Sequence, residues 1–106
     1  MTERIVLMVL DRGFVVVGRA SIYDGLAFHW QLTPGRTVRQ WGTTQGLSQL
    51  RTGPTPQTIL DPAVDRLVPF RSIIEILMVE EEKWEQHLPR LSETGTGSPR
   101  KVKATR

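Results

Sequence analysis

Arg36-Thr37-Val38-Arg39-Gln40-Trp41-Gly42-Thr43-Thr44-Gln45-Gly46-Leu47-Ser48-Gln49-Leu50-Arg51-Thr52-Gly53-Pro54-Thr55-Pro56 is where the chain changes character. Before it, the apolar pattern is that of β-strands. After it, short apolar runs read as a return to the same sheet. Within it, residues 36–41 continue as a polar strand. Thr44 is then placed to cap a short helix over residues 45–51, where Leu47, Leu50 and Arg51 fall at i, i+3 and i+4. Gly53 is placed to stop that helix. The stretch reads as the joint between a β-meander and its returning strands.

Working outward toward the start, residues 4–10 (Arg-Ile-Val-Leu-Met-Val-Leu) form an apolar run rich in β-branched residues and too short for a helix, hence a buried strand. Asp11-Arg12-Gly13 reads as a turn and residues 14–23 as a second strand. Its mid-strand Gly18 marks a bulge or bend of the kind a curling sheet needs. Asp24-Gly25 suits a type I′ hairpin turn, because both central residues then take positive φ. A third strand follows over residues 26–32. Thr33-Pro34-Gly35 reads as the turn into the fourth strand, residues 36–41.

Toward the end, Pro54, Pro56 and Pro62 keep the chain extended, and residues 58–60 and 66–70 read as short edge strands. Residues 72–79 (Ser-Ile-Ile-Glu-Ile-Leu-Met-Val) are the strongest strand after the first. From residue 80 the period changes. Trp84, Leu88 and Leu91 make one apolar stripe on a short acidic helix, with Glu80, Glu81 and Glu82 at the positive end of its dipole. Residues 92–106 are Ser, Thr, Gly, Pro and base, and too polar to bury a core, so they read as a disordered basic tail.

The expected fold is therefore a β-rich α+β domain over residues 1–91. It is a small curled antiparallel sheet or barrel of five to six strands, with one short connecting helix and a C-terminal helix.

The net charge is +3, and all of that excess lies in residues 92–106. The first 91 residues balance ten bases against ten acids. The basic isoelectric point is therefore no sign of a basic domain surface. Nine of those ten bases are Arg, the residue suited to planar bidentate contacts. Codon usage accounts for that preference equally well. The absence of cysteine excludes a disulfide framework and a thiol nucleophile, and fits a cytoplasmic protein. The apolar run at the N-terminus is too short for a signal-peptide core or a membrane span.

Chemistry-bearing residues are few. His29 and His87 lie on distant elements without metal-ligand spacing, so no metal and no cofactor is expected. No G-x-S-x-G elbow positions a serine. Gly42, Gly46 and Gly53 match no phosphate-binding loop. What remains is a cluster of Arg36, Arg39, Trp41 and Arg51. Arg39 and Trp41 share a strand face, and an indole among guanidinium groups is a platform on which a base stacks. Ser48, close to the start of the short helix, adds a hydroxyl where an anion is physically allowed. Alternatively, Trp41 is core and the arginines are its solvated fringe. The Trp84, Leu88 and Leu91 stripe reads either as a lid on the core or, left uncovered, as an interface for another copy.

The runs Val38-Arg39-Gln40-Trp41-Gly42, Gly46-Leu47-Ser48-Gln49-Leu50-Arg51 and Gly53-Pro54 resemble the central motif of uncharacterised small proteins of tailed phages and prophages. That motif is an Arg-x-x-Trp-x-Gly stretch, of which this chain has the more compact form Arg39-Gln40-Trp41-Gly42, then a Ser-Leu or Gly-Leu step, a Leu and a Gly a few residues on. Ile74-Glu75-Ile76-Leu77 resembles their closing strand. This chain lacks the second aromatic that often accompanies their Trp. The resemblance implies phage or mobile-element origin, hence the host cytoplasm, and brings no activity with it.

The functional expectation is a non-enzymatic accessory module acting through protein contacts and self-assembly. Its partner would be another copy or another protein, with no membrane involved. The alternative is a binder of nucleotide or nucleic acid through the Arg/Trp platform.

Overall fold

The computed structural model describes residues 3–22 and 29–89. Within them six strands form one antiparallel sheet: β1 (Arg4–Leu10), β2 (Val15–Ile22), β3 (His29–Gln40), β4 (Ile59–Leu60), β5 (Val64–Pro69) and β6 (Ile73–Met78). The order across the sheet is β4-β3-β2-β1-β6, with β5 sharing the outer edge of β3 with β4. The sheet stays open, with β6 at one edge and β4 and β5 at the other. The expected β-rich α+β class holds, in the form of an open sheet. The turn at residues 11–13 is a single 3₁₀ turn with Arg12 and Gly13 at positive φ. The Asp24-Gly25 hairpin and the tail lie outside the described residues.

The third and fourth expected strands are one strand. Thr33-Pro34-Gly35 does not reverse the chain; it forms a bulge inside β3. Leu32 pairs with Ala20 and Gly35 with Gly18 on one side, while Leu32 and Gly35 face Arg66 and Val64 on the other. β3 thus carries one extra residue against both neighbours, which bends it. Pro34 has no N–H to contribute to a ladder, and a bulge asks for none. Gly18 permits the bend, since a Cβ there would sit 2.7 Å from the Pro34 carbonyl oxygen and 3.0 Å from Gly35 Cα.

Side chains alternate between two apolar faces. On the first, Ile5, Leu7, Val15, Val17 and Val38 pack with Leu50, Val79, Trp84 and Leu88. On the second, Val6, Met8, Val16, Ala20 and Leu32 pack with Val68. Trp30 and Phe70 meet at the margin of this second face, ring centroids 5.9 Å apart.

The first face is covered by two segments. Residues 41–58 leave β3, cross the sheet and come back to pair beside it as β4. Thr58 Oγ1 donates to the Trp41 carbonyl and Thr55 Oγ1 to the Gly42 carbonyl, both at 2.6 Å, so the ends of the loop meet in the manner of an Ω-loop. Its middle is a 3₁₀ helix, Leu47–Thr52, shorter and tighter than expected. Thr44 is not its cap. Gln49 instead folds back, and its Oε1 accepts the backbone N–H groups of Thr44 and Gln45. Gly53 does end it, at φ 110°.

The second cover is residues 81–88: one α-helical turn, α1 (Glu81–Trp84), then a 3₁₀ turn, Glu85–His87. This strap is tied to three strands in succession. Glu81 Oε1 accepts the Ile5 N–H of β1, Arg19 Nε of β2 donates to the Leu88 carbonyl, and Arg36 Nη1 of β3 donates to the His87 carbonyl.

Candidate binding surfaces

Arg36 is a structural tie. Its Nε donates to the Asp61 carbonyl at 2.6 Å, and Nη1 and Nη2 reach the His87 and Leu60 carbonyls at 3.1 and 3.4 Å. The guanidinium fork satisfies backbone oxygens from two segments, the end of β4 and the C-terminal strap. Arg51 is likewise engaged, its Nε donating to the Met78 carbonyl of β6 at 2.6 Å.

Arg39 and Trp41 are the open part of the expected cluster. Arg39 is 69% exposed and places Nη2 2.6 Å from Asp61 Oδ1, a charge contact in which that oxygen has no aligned hydrogen-bond donor. Trp41 is 41% exposed, so it is not core. The five residues do not converge. Arg51 is fixed to β6, while Arg39 and Trp41 lie at the end of β3, three strand positions or about 14 Å across the sheet. Ser48 is exposed on the 3₁₀ helix.

The Trp84, Leu88 and Leu91 stripe is resolved in favour of the lid. Trp84 and Leu88 have no exposed area, and Trp84 Nε1 donates to the Leu50 carbonyl at 2.9 Å. These two side chains are core and present no surface to a partner, which corrects their reading as an interface. Leu91 lies outside the described residues. The His87 ring packs edge-on to Trp84 at 5.9 Å. Among the described residues no three His, Asp or Glu side chains gather as a metal site would require, and no helix is long and apolar enough to cross a membrane.

Two surfaces escaped the sequence reading. One is a cleft of about 360 Å³ between the β1–β2 turn and β5, lined by Leu10, Phe14, Val16, Val64, Arg66 and Val68. The other is the outer edge of β6. The run Ile73-Ile74-Glu75-Ile76-Leu77-Met78 looks like a buried strand, yet among the described residues no strand pairs with β6 on its outer side. Ile74, Ile76 and Met78 are 67, 37 and 43% exposed. The signal was Glu75: one charge inside an otherwise apolar strand is how edges are commonly marked.

No protein-family model, curated protein or solved structure matches the chain.

Proposed function

We propose that the protein is a non-enzymatic accessory module, phage or mobile-element encoded, that acts through protein contacts and self-assembly. The observation that carries this reading is the edge of β6, where three large apolar side chains are exposed on a strand that, among the described residues, pairs with another strand on one side only. An exposed apolar edge is a template for a further strand and a liability when left alone. The test is the mass of the protein in solution. Light scattering across roughly 1–100 μM, where an interface worth about 8 kcal/mol populates its complex, is expected to show association. A monomer throughout that range overturns self-assembly.

A second reading is supported by the exposure of Trp41 beside Arg39: a stacking platform for a nucleotide or nucleic acid, reduced to these two residues. A panel of nucleotides and short oligonucleotides at low salt is expected to quench indole fluorescence in the wild type and not in Trp41→Leu. Equal signals from both proteins, or no signal at all, remove this reading.

A further inference from the structure

We infer that β6 pairs antiparallel with β6 of a second copy, about a two-fold axis at Ile76, to make one continuous sheet across the dimer. This rests on the self-assembly reading and gives it a site and a register.

The direction of the peptide groups comes first. Arg51 Nε donates to the Met78 carbonyl, and the Glu80 N–H donates to the Arg51 carbonyl at 2.8 Å. The partner of both groups is a segment other than β1, so the peptide of Met78 points away from β1. Peptide direction repeats every second residue along a strand, which turns the N–H and C=O of Ile76 outward as well. These are the groups that a further strand would take up. Arg51 occupies one lone pair of the Met78 carbonyl, and a carbonyl accepts two bonds.

The register follows from charge and shape. In a two-fold antiparallel pair, residues directly opposite share a face, so the axis falls on a residue. An axis at Glu75 sets two carboxylates against each other, which is repulsive at cross-strand distance. An axis at Leu77 sets Ile74 opposite Glu80 of the second copy. An axis at Ile76 sets Ile76 on Ile76, Ile74 on Met78 and Glu75 beside Leu77. It is the register of the three in which all the exposed apolar side chains of the edge meet one another. Such a self-complementary arrangement is what a closed two-fold interface demands. A second copy is thereby favoured over an unrelated strand, which would have to supply the same pattern independently.

The chain has no cysteine, so single-cysteine variants report position directly. Directly opposed residues at such a pair lie about 5.5 Å apart at Cα, inside the range a disulfide spans. Under mild oxidation Ile76→Cys is expected to give a covalent dimer on a non-reducing gel, and Ile59→Cys, exposed on β4 at the opposite edge of the sheet, is not. Ile76→Lys is expected to be monomeric with an unchanged circular dichroism spectrum. A wild type that associates while Ile76→Lys associates equally well and Ile76→Cys stays uncrosslinked overturns this interface and leaves self-assembly standing. A wild type that is monomeric at every concentration overturns both.

Discussion

The indole Nε1–H of Trp84 donates to the carbonyl of Leu50 across 2.9 Å, with both side chains fully buried. This bond joins the two segments that cover the first face. The same carbonyl accepts the Gly53 N–H at 3.0 Å, so the indole supplies its second bond in a site out of reach of water. Trp84→Phe retains an aromatic ring but loses this bond and leaves part of the buried indole's volume empty, at a cost of about 1–3 kcal/mol. In a domain of this size each kcal/mol lowers Tm by roughly 4–8 °C. Thermal unfolding of Trp84→Phe within 2 °C of the wild type, about half the smallest such shift, contradicts the assignment.

Gly42 holds the neck of the covering loop. Its φ is 69°, and a Cβ there would stand 2.4 Å from the Gln57 carbonyl carbon. Gly46, at φ 91°, has open space around it. Its ψ of −177° puts it in an extended positive-φ region essentially confined to glycine, so alanine at position 46 should cost only that backbone strain, about 1–3 kcal/mol. Alanine at position 42 adds a collision with backbone that cannot move aside without opening the return to β4. The Gly42→Ala variant is therefore expected to be the less stable of the two by urea unfolding. Equal midpoints mean that the neck is not tightly closed.

These two residues also show what was legible from sequence. The first two strands were, because a short β-branched apolar run is how a strand buried on both faces reads. Trp84 and Leu88 stood out as one stripe, and the sheet needed a cover. Thr33-Pro34-Gly35 misled, because the same residues serve a turn and a bulge. What separated the two was Gly18, across the ladder, which makes room for Pro34. Such a close approach is a pairwise fact between distant segments, and no local pattern carries it. The Arg cluster misled for a related reason. A guanidinium that ties backbone carbonyls and one that awaits a ligand are the same residue in sequence. Only the positions of the Asp61 and His87 carbonyls tell them apart.

Arg36 and Arg39 lie three residues apart and should behave oppositely. Arg36 satisfies backbone carbonyls of three residues from a part-buried position. Lysine offers no fork to replace it. Hydrogen bonds to charged groups are worth about 1.5–3 kcal/mol each, so Arg36→Lys is expected to lose about 2 kcal/mol or more. Arg39 holds Asp61 from a largely exposed position, and such pairs contribute about 0–1 kcal/mol. Arg39→Ala should therefore unfold close to the wild type and lose what remains of the pair's effect in high salt. A larger loss from Arg39→Ala than from Arg36→Lys reverses the assignment of tie and surface pair.

Asp65 gives the fold a pH dependence whose sign is set by burial. Desolvation on β5 pushes its carboxyl above the ordinary value of 3.8, because the charged form is the one that loses water. A carboxyl raised in the folded state binds its proton more tightly there than in the unfolded chain. Its ionisation therefore opposes folding, and the penalty grows as pH rises from 3.8 through the folded value. At neutral pH the penalty is present in full; below 3.8 it is gone. Asn at this position cannot ionise. Asp65→Asn is expected to melt slightly above the wild type at neutral pH, with the gap closing on acidification toward 3.8 and below. The side chain is largely solvated, so the gap is small, and its closing is the diagnostic observation. Paired melts of the two proteins across this range decide the matter: a gap constant with pH, or one that widens in acid, shows that Asp65 is not destabilised by burial of its charge.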